Sequence, residues 1–95
     1  MKILQTLAFK RKYKKLHTPQ QQIVKDAIAK ILEQLDIGVM KKGDLSGVRI
    51  YKFKANNQEI LLAYSVLDTQ ELILLALGSH ENFYRDLSKH LLNRV

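Results

Sequence analysis

The sequence predicts an α+β fold, a helix hairpin packed on a small antiparallel β-sheet and followed by a C-terminal helix. Three observations support this prediction. Helical hydrophobic stripes lie in the first 36 residues, three short apolar runs separated by turn residues follow, and a last helical stripe ends the chain. The chain has 95 residues, of which 46% are hydrophobic. We therefore expect a single globular domain over residues 1–95 rather than a disordered chain.

The first helix is predicted from the spacing of apolar residues. Residues 2–7 suit a short strand, after which Phe9, Tyr13 and Leu16 recur at helical intervals. The positions between them are basic, so this helix should be amphipathic with a cationic outer face. The cations are Lys10, Arg11, Lys12, Lys14 and Lys15.

The second helix is predicted from its start signal. Thr18 suits the N-cap, Pro19 suits the first helical position, and Gln21 completes a capping-box pattern. The apolar stripe that follows should carry the helix to about Asp36, with Gly38 as its stop. Two such helices in succession predict a hairpin.

The sheet is predicted from three apolar runs that are too short, and too rich in β-branched and aromatic residues, for good helices. A glycine-rich loop over residues 38–47 precedes them. Asn56-Asn57 and residues 68–70 have turn composition, and links this short predict an antiparallel meander. The runs cover about 48–55, 58–67 and 71–77.

The C-terminal helix is predicted to follow Ser79, which suits an N-cap. Phe83, Leu87 and Leu91 then recur at intervals of four, which places them on one helical face.

Charge is distributed unevenly along the chain. The net charge is +7, but residues 1–54 hold 13 Lys or Arg against 4 Asp or Glu, a balance of +9. Such an excess predicts an anionic partner such as a nucleic acid, although it also serves solubility. The chain has no cysteine and no apolar stretch near the ~20 residues that span a membrane. We therefore expect a cytoplasmic protein with neither a disulfide nor a thiolate metal site.

Three local phrases, taken with the order of elements, resemble the RelE/ParE superfamily of bacterial toxins. Residues 45–49 (LSGVR) resemble the L-x-G-x-R stretch that opens the second strand in many members. Residues 51–54 (YKFK), followed by Tyr64, resemble the Tyr-Lys-Ile-Lys…Tyr segment of the RelE branch. Residues 78–84 (GSHENFY) resemble the Gly-x-His-x-x-Leu-Phe ending of the YafQ branch. The resemblance covers nearly the whole chain.

This resemblance implies the toxin component of a type II toxin–antitoxin system. RelE-like and YafQ-like members enter the ribosomal A site and cut mRNA without a metal or other cofactor, which inhibits translation. ParE-like members share the fold but inhibit DNA gyrase and cut nothing. A cognate antitoxin, expected to be acidic, silences the toxin, and the complex is expected to bind its own operator DNA through the antitoxin.

Metal-free RNA cleavage needs a base for the ribose 2′-hydroxyl, cations for the phosphate and an acid for the leaving 5′-oxygen. Lys52 and Lys54 are the candidate cations, because residues two apart on a strand share a face. The resemblance to RelE places two functional lysines at these positions. The alternative is a solvated edge strand, where lysines hinder aggregation.

His80 is the candidate for proton transfer, because a histidine titrates near neutrality. The alternative is a capping or surface histidine. Tyr84 lies one helical turn after it, where it would either stack on RNA or pack under the sheet. Arg49 would either hold a phosphate or pair with Asp44 or Glu81. The other candidate RNA contacts are Arg85, Lys10, Arg11 and Lys14.

The sequence departs from the RelE pattern at two cations. Leu61 stands where RelE has an arginine, and RelE has another arginine near the position that His80 occupies here. A histidine-centred, YafQ-like mechanism fits better, but that branch has further histidines or an acid that this chain lacks, so the general base stays open. Two other functions also stay open: ParE-like inhibition of gyrase, and binding of RNA or DNA without toxicity. The chain has no P-loop and no nucleophile-elbow motif.

Overall fold

The computed structural model describes residues 1–68, 70–79 and 83. In this part of the chain five strands form one sheet, on which two α-helices pack. The helices are α1 (Leu7–Lys15) and α2 (Thr18–Glu33), and a 3₁₀ turn covers Gly43–Leu45. The strands are β1 (Lys2–Gln5), β2 (Val39–Met40), β3 (Arg49–Ala55), β4 (Gln58–Asp68) and β5 (Glu71–Ser79).

The predicted antiparallel meander is confirmed. Strand β3 pairs with β4, and β4 pairs with β5. The link between β3 and β4 is a two-residue turn in which Asn56 and Asn57 have φ of 55° and 67°. Both values lie in the left-handed region, as a type I′ hairpin turn requires, and asparagine tolerates this region better than most residues.

The sheet is mixed rather than wholly antiparallel, which corrects one part of the fold prediction. The strand order is β1-β5-β4-β3-β2, and β1 lies at the edge parallel to β5. The helix hairpin, β2, β3 and β4 separate these two strands in the chain. Short links report only on neighbouring strands, so this long-range pair has no signature in the sequence.

The start of α1 is tied to the sheet. The Oγ1 of Thr6 accepts the N–H of Phe9 at 3.1 Å, and the same hydroxyl donates to the Leu75 carbonyl at 2.6 Å. Phe9 is buried and Tyr13 stacks on it, with ring centroids 6.2 Å apart. Leu16 also packs against this core, so the predicted stripe is confirmed.

The start of α2 differs from the prediction by one residue. The N-cap is His17 rather than Thr18, and Gln20 rather than Gln21 occupies the third helical position, where its Oε1 accepts the His17 N–H at 3.4 Å. The Nε2 of Gln21 instead donates to the Tyr13 carbonyl at 2.9 Å and joins the two helices. The prediction relied on the adjacent proline, which the first turn of a helix tolerates at more than one position.

The end of α2 also differs from the prediction. The helix ends at Glu33 rather than near Asp36, with Gln34 in extended conformation as its C-cap. Gly38 is not the helix stop, because its φ is not positive. It leads directly into β2, which pairs with β3 where a loop was predicted.

Both faces of the sheet are packed. We call the side covered by α1 and α2 the helix face, and the other side the lysine face, because Lys52 and Lys54 lie on it. Buried residues of the helix-face core include Phe9, Val24, Ile31, Leu62, Tyr64 and Leu72. Buried residues of the lysine-face core are Leu45, Val48, Ile50, Leu61, Ala63, Leu75 and Phe83.

The predicted C-terminal helix lies outside the described residues, except for Phe83. This residue is helical and is buried in the lysine-face core. Among the described helices, none has the length and apolar character needed to cross a membrane.

Candidate functional site

Lys52 and Lys54 project from one side of β3, as predicted, and both are exposed. Tyr51 and Phe53 alternate with them and pack against the helix-face core, with ring centroids 5.8 Å apart. A slip of β3 by one residue would move these rings out of the core. The packed aromatic residues therefore hold both lysines on the lysine face.

The two lysines differ in the residue that lies opposite them on β4. Lys52 faces Leu61, which is 0% exposed, whereas Lys54 faces Glu59. A cross-strand carboxylate offsets part of the charge of Lys54. Neither lysine makes a hydrogen bond or an ion pair with another described residue. Lys52 is thus the less compensated cation and the better placed to meet a phosphate.

Lys52, Leu61 and Gly78 stand side by side on three neighbouring strands. Adjacent strands lie about 4.8 Å apart, so roughly 10 Å separate the backbones at Lys52 and Gly78. Gly78 is closely covered, because a Cβ there would lie 3.3 Å from Cδ1 of Phe83. This row leads from the candidate cation to the end of β5, which His80 follows in the sequence.

Three candidate residues, His80, Tyr84 and Arg85, lie outside the described residues, so their roles stay predictions. Leu61, which stands in place of an arginine of the RelE pattern, is fully buried. That position therefore contributes apolar packing here instead of charge. Among the described residues, no group of three or more His, Cys, Asp or Glu side chains is arranged to hold a metal ion.

The candidate RNA contacts on α1 lie on the opposite side of the sheet from Lys52. Lys10, Arg11 and Lys14 are exposed on a helix that packs on the helix face. The structure therefore divides the positive charge into two surfaces rather than one patch. An RNA strand that contacts both has to pass around an edge or an end of the sheet.

The side chain of Arg49 contacts the main chain of the segment that follows α2. Its Nη1 donates to the Gly38 carbonyl at 2.8 Å and to the Asp36 carbonyl at 3.3 Å. The guanidinium therefore holds this segment against β3. This structural role matches neither of the two functions expected for Arg49, and its contact with RNA stays a prediction.

Tyr64 completes this junction, and the sequence did not identify it as a site residue. Its side chain is 0% exposed. The hydroxyl donates to the Leu35 carbonyl at 2.7 Å and accepts the Gly38 N–H at 2.9 Å. We call Leu35, Gly38, Arg49 and Tyr64 the Tyr64 junction. The available signal was a tyrosine within an otherwise apolar strand, because a buried phenol needs hydrogen-bond partners.

The junction requires a neutral phenol, because only the protonated hydroxyl can donate to Leu35. Burial raises the pKa of Tyr64 above 10.0, while the Gly38 N–H and the charge of Arg49 act in the opposite direction. A phenol whose pKa is raised on folding stabilises the fold below the pKa of the unfolded state, and this stabilisation is lost as pH rises through the folded pKa.

We expect the Tyr64 junction to make the protein sensitive to alkali. The free energy of unfolding should fall above about pH 10, and more steeply in the wild type than in Tyr64→Phe, which has no phenol to ionise. Urea unfolding of both proteins at several pH values between about 8 and 11 measures the difference. Parallel pH dependence in the two proteins would contradict the role given to this phenol.

Solved structures of E. coli RelE have the fold described above. A mutant of RelE in the free state has a TM-score of 0.74 at 15% identity, over 99% of this chain and 96% of that chain. A chain of the intact E. coli RelBE toxin–antitoxin complex scores 0.69 at 17% identity, over 84% and 96%. The isolated E. coli RelE toxin scores 0.64 at 18% identity, over 95% and 97%. At these identities the likeness establishes a RelE-like fold.

The sequence itself identifies the family. The model of the ParE-like toxins of type II bacterial toxin–antitoxin systems matches residues 3–88. The chain therefore belongs to this family of toxins, within the RelE/ParE superfamily, which confirms the superfamily that the sequence predicted. A comparison with curated proteins finds no match.

Proposed function

We propose that this toxin is a metal-independent, ribosome-dependent endoribonuclease that cleaves mRNA and so inhibits translation. The observation that carries the proposal is the exposed pair Lys52 and Lys54 on the lysine face. Lys52 has no carboxylate opposite it and stands in a row that reaches the end of β5. The RelE-like fold supports the activity that the resemblance implies for RelE-like members.

In the proposed reaction the ribose 2′-oxygen attacks the adjacent phosphorus and the bond to the 5′-oxygen breaks, which leaves a 2′,3′-cyclic phosphate and a 5′-hydroxyl. Lys52, assisted by Lys54, offsets the negative charge that builds on the phosphate. His80 gives a proton to the leaving 5′-oxygen. Tyr84 and Arg85 contact the RNA beside it, and the general base stays open.

The proposed partners are mRNA on the ribosome and a cognate acidic antitoxin. The E. coli RelBE toxin–antitoxin complex, a chain of which has this fold, supports an antitoxin. The exposed cations of α1 and β3 favour an acidic one, because complementary charge accelerates association. We also propose that the toxin–antitoxin complex binds its operator DNA through the antitoxin. Residues 1–95 are proposed to form one domain, and the protein is proposed to act in the cytoplasm.

The proposal is tested by cleavage of a defined mRNA on purified ribosomes. The wild type should cut it, and His80→Ala should be slower by about 10²- to 10⁴-fold, the usual contribution of a positioned proton donor. His17→Ala is the matched control, because His17 is an exposed residue at the start of α2. It should cleave at the wild-type rate. Absence of cleavage by the folded wild type would overturn the nuclease.

Inhibition of gyrase is a second candidate, because the family model that matches is ParE-like. A supercoiling assay with purified gyrase distinguishes the two functions. Blocked supercoiling without mRNA cleavage would favour the gyrase inhibitor. Cells that express the protein alone and continue to grow would indicate a nucleic-acid-binding module without toxicity.

A further inference from the structure

A groove of about 210 Å³ opens on the helix face, on the opposite side of the sheet from Lys52 and Lys54. It lies where the link between α1 and α2 approaches the start of β4 and the end of β5. Its apolar lining residues are Leu16, Ile60, Leu77 and Gly78, and its polar lining residues are Lys12, Gln20, Gln58 and Ser79.

The polar groups that line the groove can still form hydrogen bonds with a ligand. The side chains of Lys12, Gln58 and Ser79 are exposed and make no hydrogen bond with other described residues. Gln20 engages its Oε1 with the His17 N–H at 3.4 Å, while no described residue accepts from its Nε2. The groove therefore offers an ammonium group, two amides and a hydroxyl beside apolar surface.

We propose that this groove binds one unpaired base of a single-stranded RNA, with a flanking phosphate on Lys12. Apolar surface suits the flat face of a base, and glutamine amides donate and accept as base edges require. The volume is below the ~300–1,000 Å³ of pockets for drug-sized ligands, so a single base is the appropriate size. An aliphatic ligand would make no use of the Gln20 and Gln58 amides.

The position of the groove fits an RNA strand that also reaches the lysine face. Gly78 lines the groove and also stands in the row with Leu61 and Lys52. The groove and Lys52 therefore lie toward the same end of the sheet, on its opposite faces. The inference rests on the proposed function when it names mRNA as the source of the base. The bound base would then belong to a nucleotide beside the cleaved bond, and the groove would set sequence preference.

The site is tested by nuclear magnetic resonance titration of the full chain with each of the four ribonucleoside 5′-monophosphates and with a single-stranded RNA hexamer. We expect saturable shifts at the amides of Gln20, Gln58 and Ser79, and tighter binding of the hexamer because the other α1 cations meet its phosphates. Gln58→Leu should weaken binding about fivefold or more, the value of one good contact to a base edge. Gln70→Leu is the matched control, because Gln70 is an exposed glutamine at the opposite end of the β4–β5 hairpin.

Each outcome decides the inference. The inference would be overturned if Gln58→Leu and Lys12→Ala both bound the hexamer with wild-type affinity. It would also be overturned if the resonance shifts were confined to the lysine face. If a mononucleotide bound more tightly than the hexamer, the ligand of the groove would be a free nucleotide. The proposal that the groove binds a base of single-stranded RNA would then be wrong. Cleavage on the ribosome without shifts in the groove would reject the groove alone. Shifts in the groove without cleavage would reject the nuclease and keep the base site.

Discussion

Lys52→Ala should slow mRNA cleavage on the ribosome by about 10²- to 10³-fold, the usual loss when one preorganised electrostatic group is removed from a reacting centre. The reason is that Lys52 faces buried Leu61 and has no carboxylate opposite it. Lys54→Ala should cost less, because Glu59 already offsets part of the charge of Lys54. Single-turnover cleavage at saturating toxin separates this effect from weaker binding.

The control for this prediction is Lys25→Ala, which removes one exposed cation from α2 and leaves the lysine face intact. It should cleave at close to the wild-type rate. An equal loss in Lys25→Ala and Lys52→Ala would show that only the total charge matters. A folded Lys52→Ala variant with full activity would identify Lys52 as a solvated lysine of β3.

Gly38→Ala should lower the free energy of unfolding by about 2–4 kcal/mol, from overpacking together with weakened buried hydrogen bonds. A Cβ at this position would lie 2.8 Å from Cε1 and 2.9 Å from the hydroxyl of Tyr64. Neither the ring nor the segment after α2 can move away without breaking the hydrogen bonds that join the Tyr64 hydroxyl to Leu35 and Gly38. Small domains have only about 5–15 kcal/mol in total, so urea unfolding detects the loss directly.

The matched control is Gly43→Ala. No atom lies within 4 Å of a Cβ at Gly43, but its φ is +69°, so only backbone strain of about 1–2 kcal/mol is expected. Tyr64→Phe should cost about 1–3 kcal/mol, because it leaves the buried Gly38 N–H without its partner. The double variant of Gly38 and Tyr64 should lose less than the sum of the two changes, since both act on one junction. A cost for Gly38→Ala no greater than for Gly43→Ala would contradict the close contact.

Features with a short repeat were predictable from the chain alone. The stripe of Phe9, Tyr13 and Leu16 predicts a helix and its buried side, because helical periodicity is local. The alternation along β3 likewise assigns Tyr51 and Phe53 to the core and both lysines to the other face. For the same reason the lysine pair was the part of the candidate site that could be predicted. Boundaries were less certain, since one proline suits several positions in the first turn of α2.

Features that join distant segments required the folded chain. The parallel pairing of β1 with β5 depends on residues about 70 positions apart, and no local pattern encodes such a register. The carbonyls that Arg49 contacts come from the segment that follows α2, so the sequence alone suggested carboxylate or phosphate partners instead. The groove combines α1, α2, β4 and β5, each of which contributes one polar residue that looks like ordinary surface. The sequence concentrates positive charge in residues 1–54. In the fold this charge is divided between the two faces of the sheet, because α1 packs on the side opposite to Lys52.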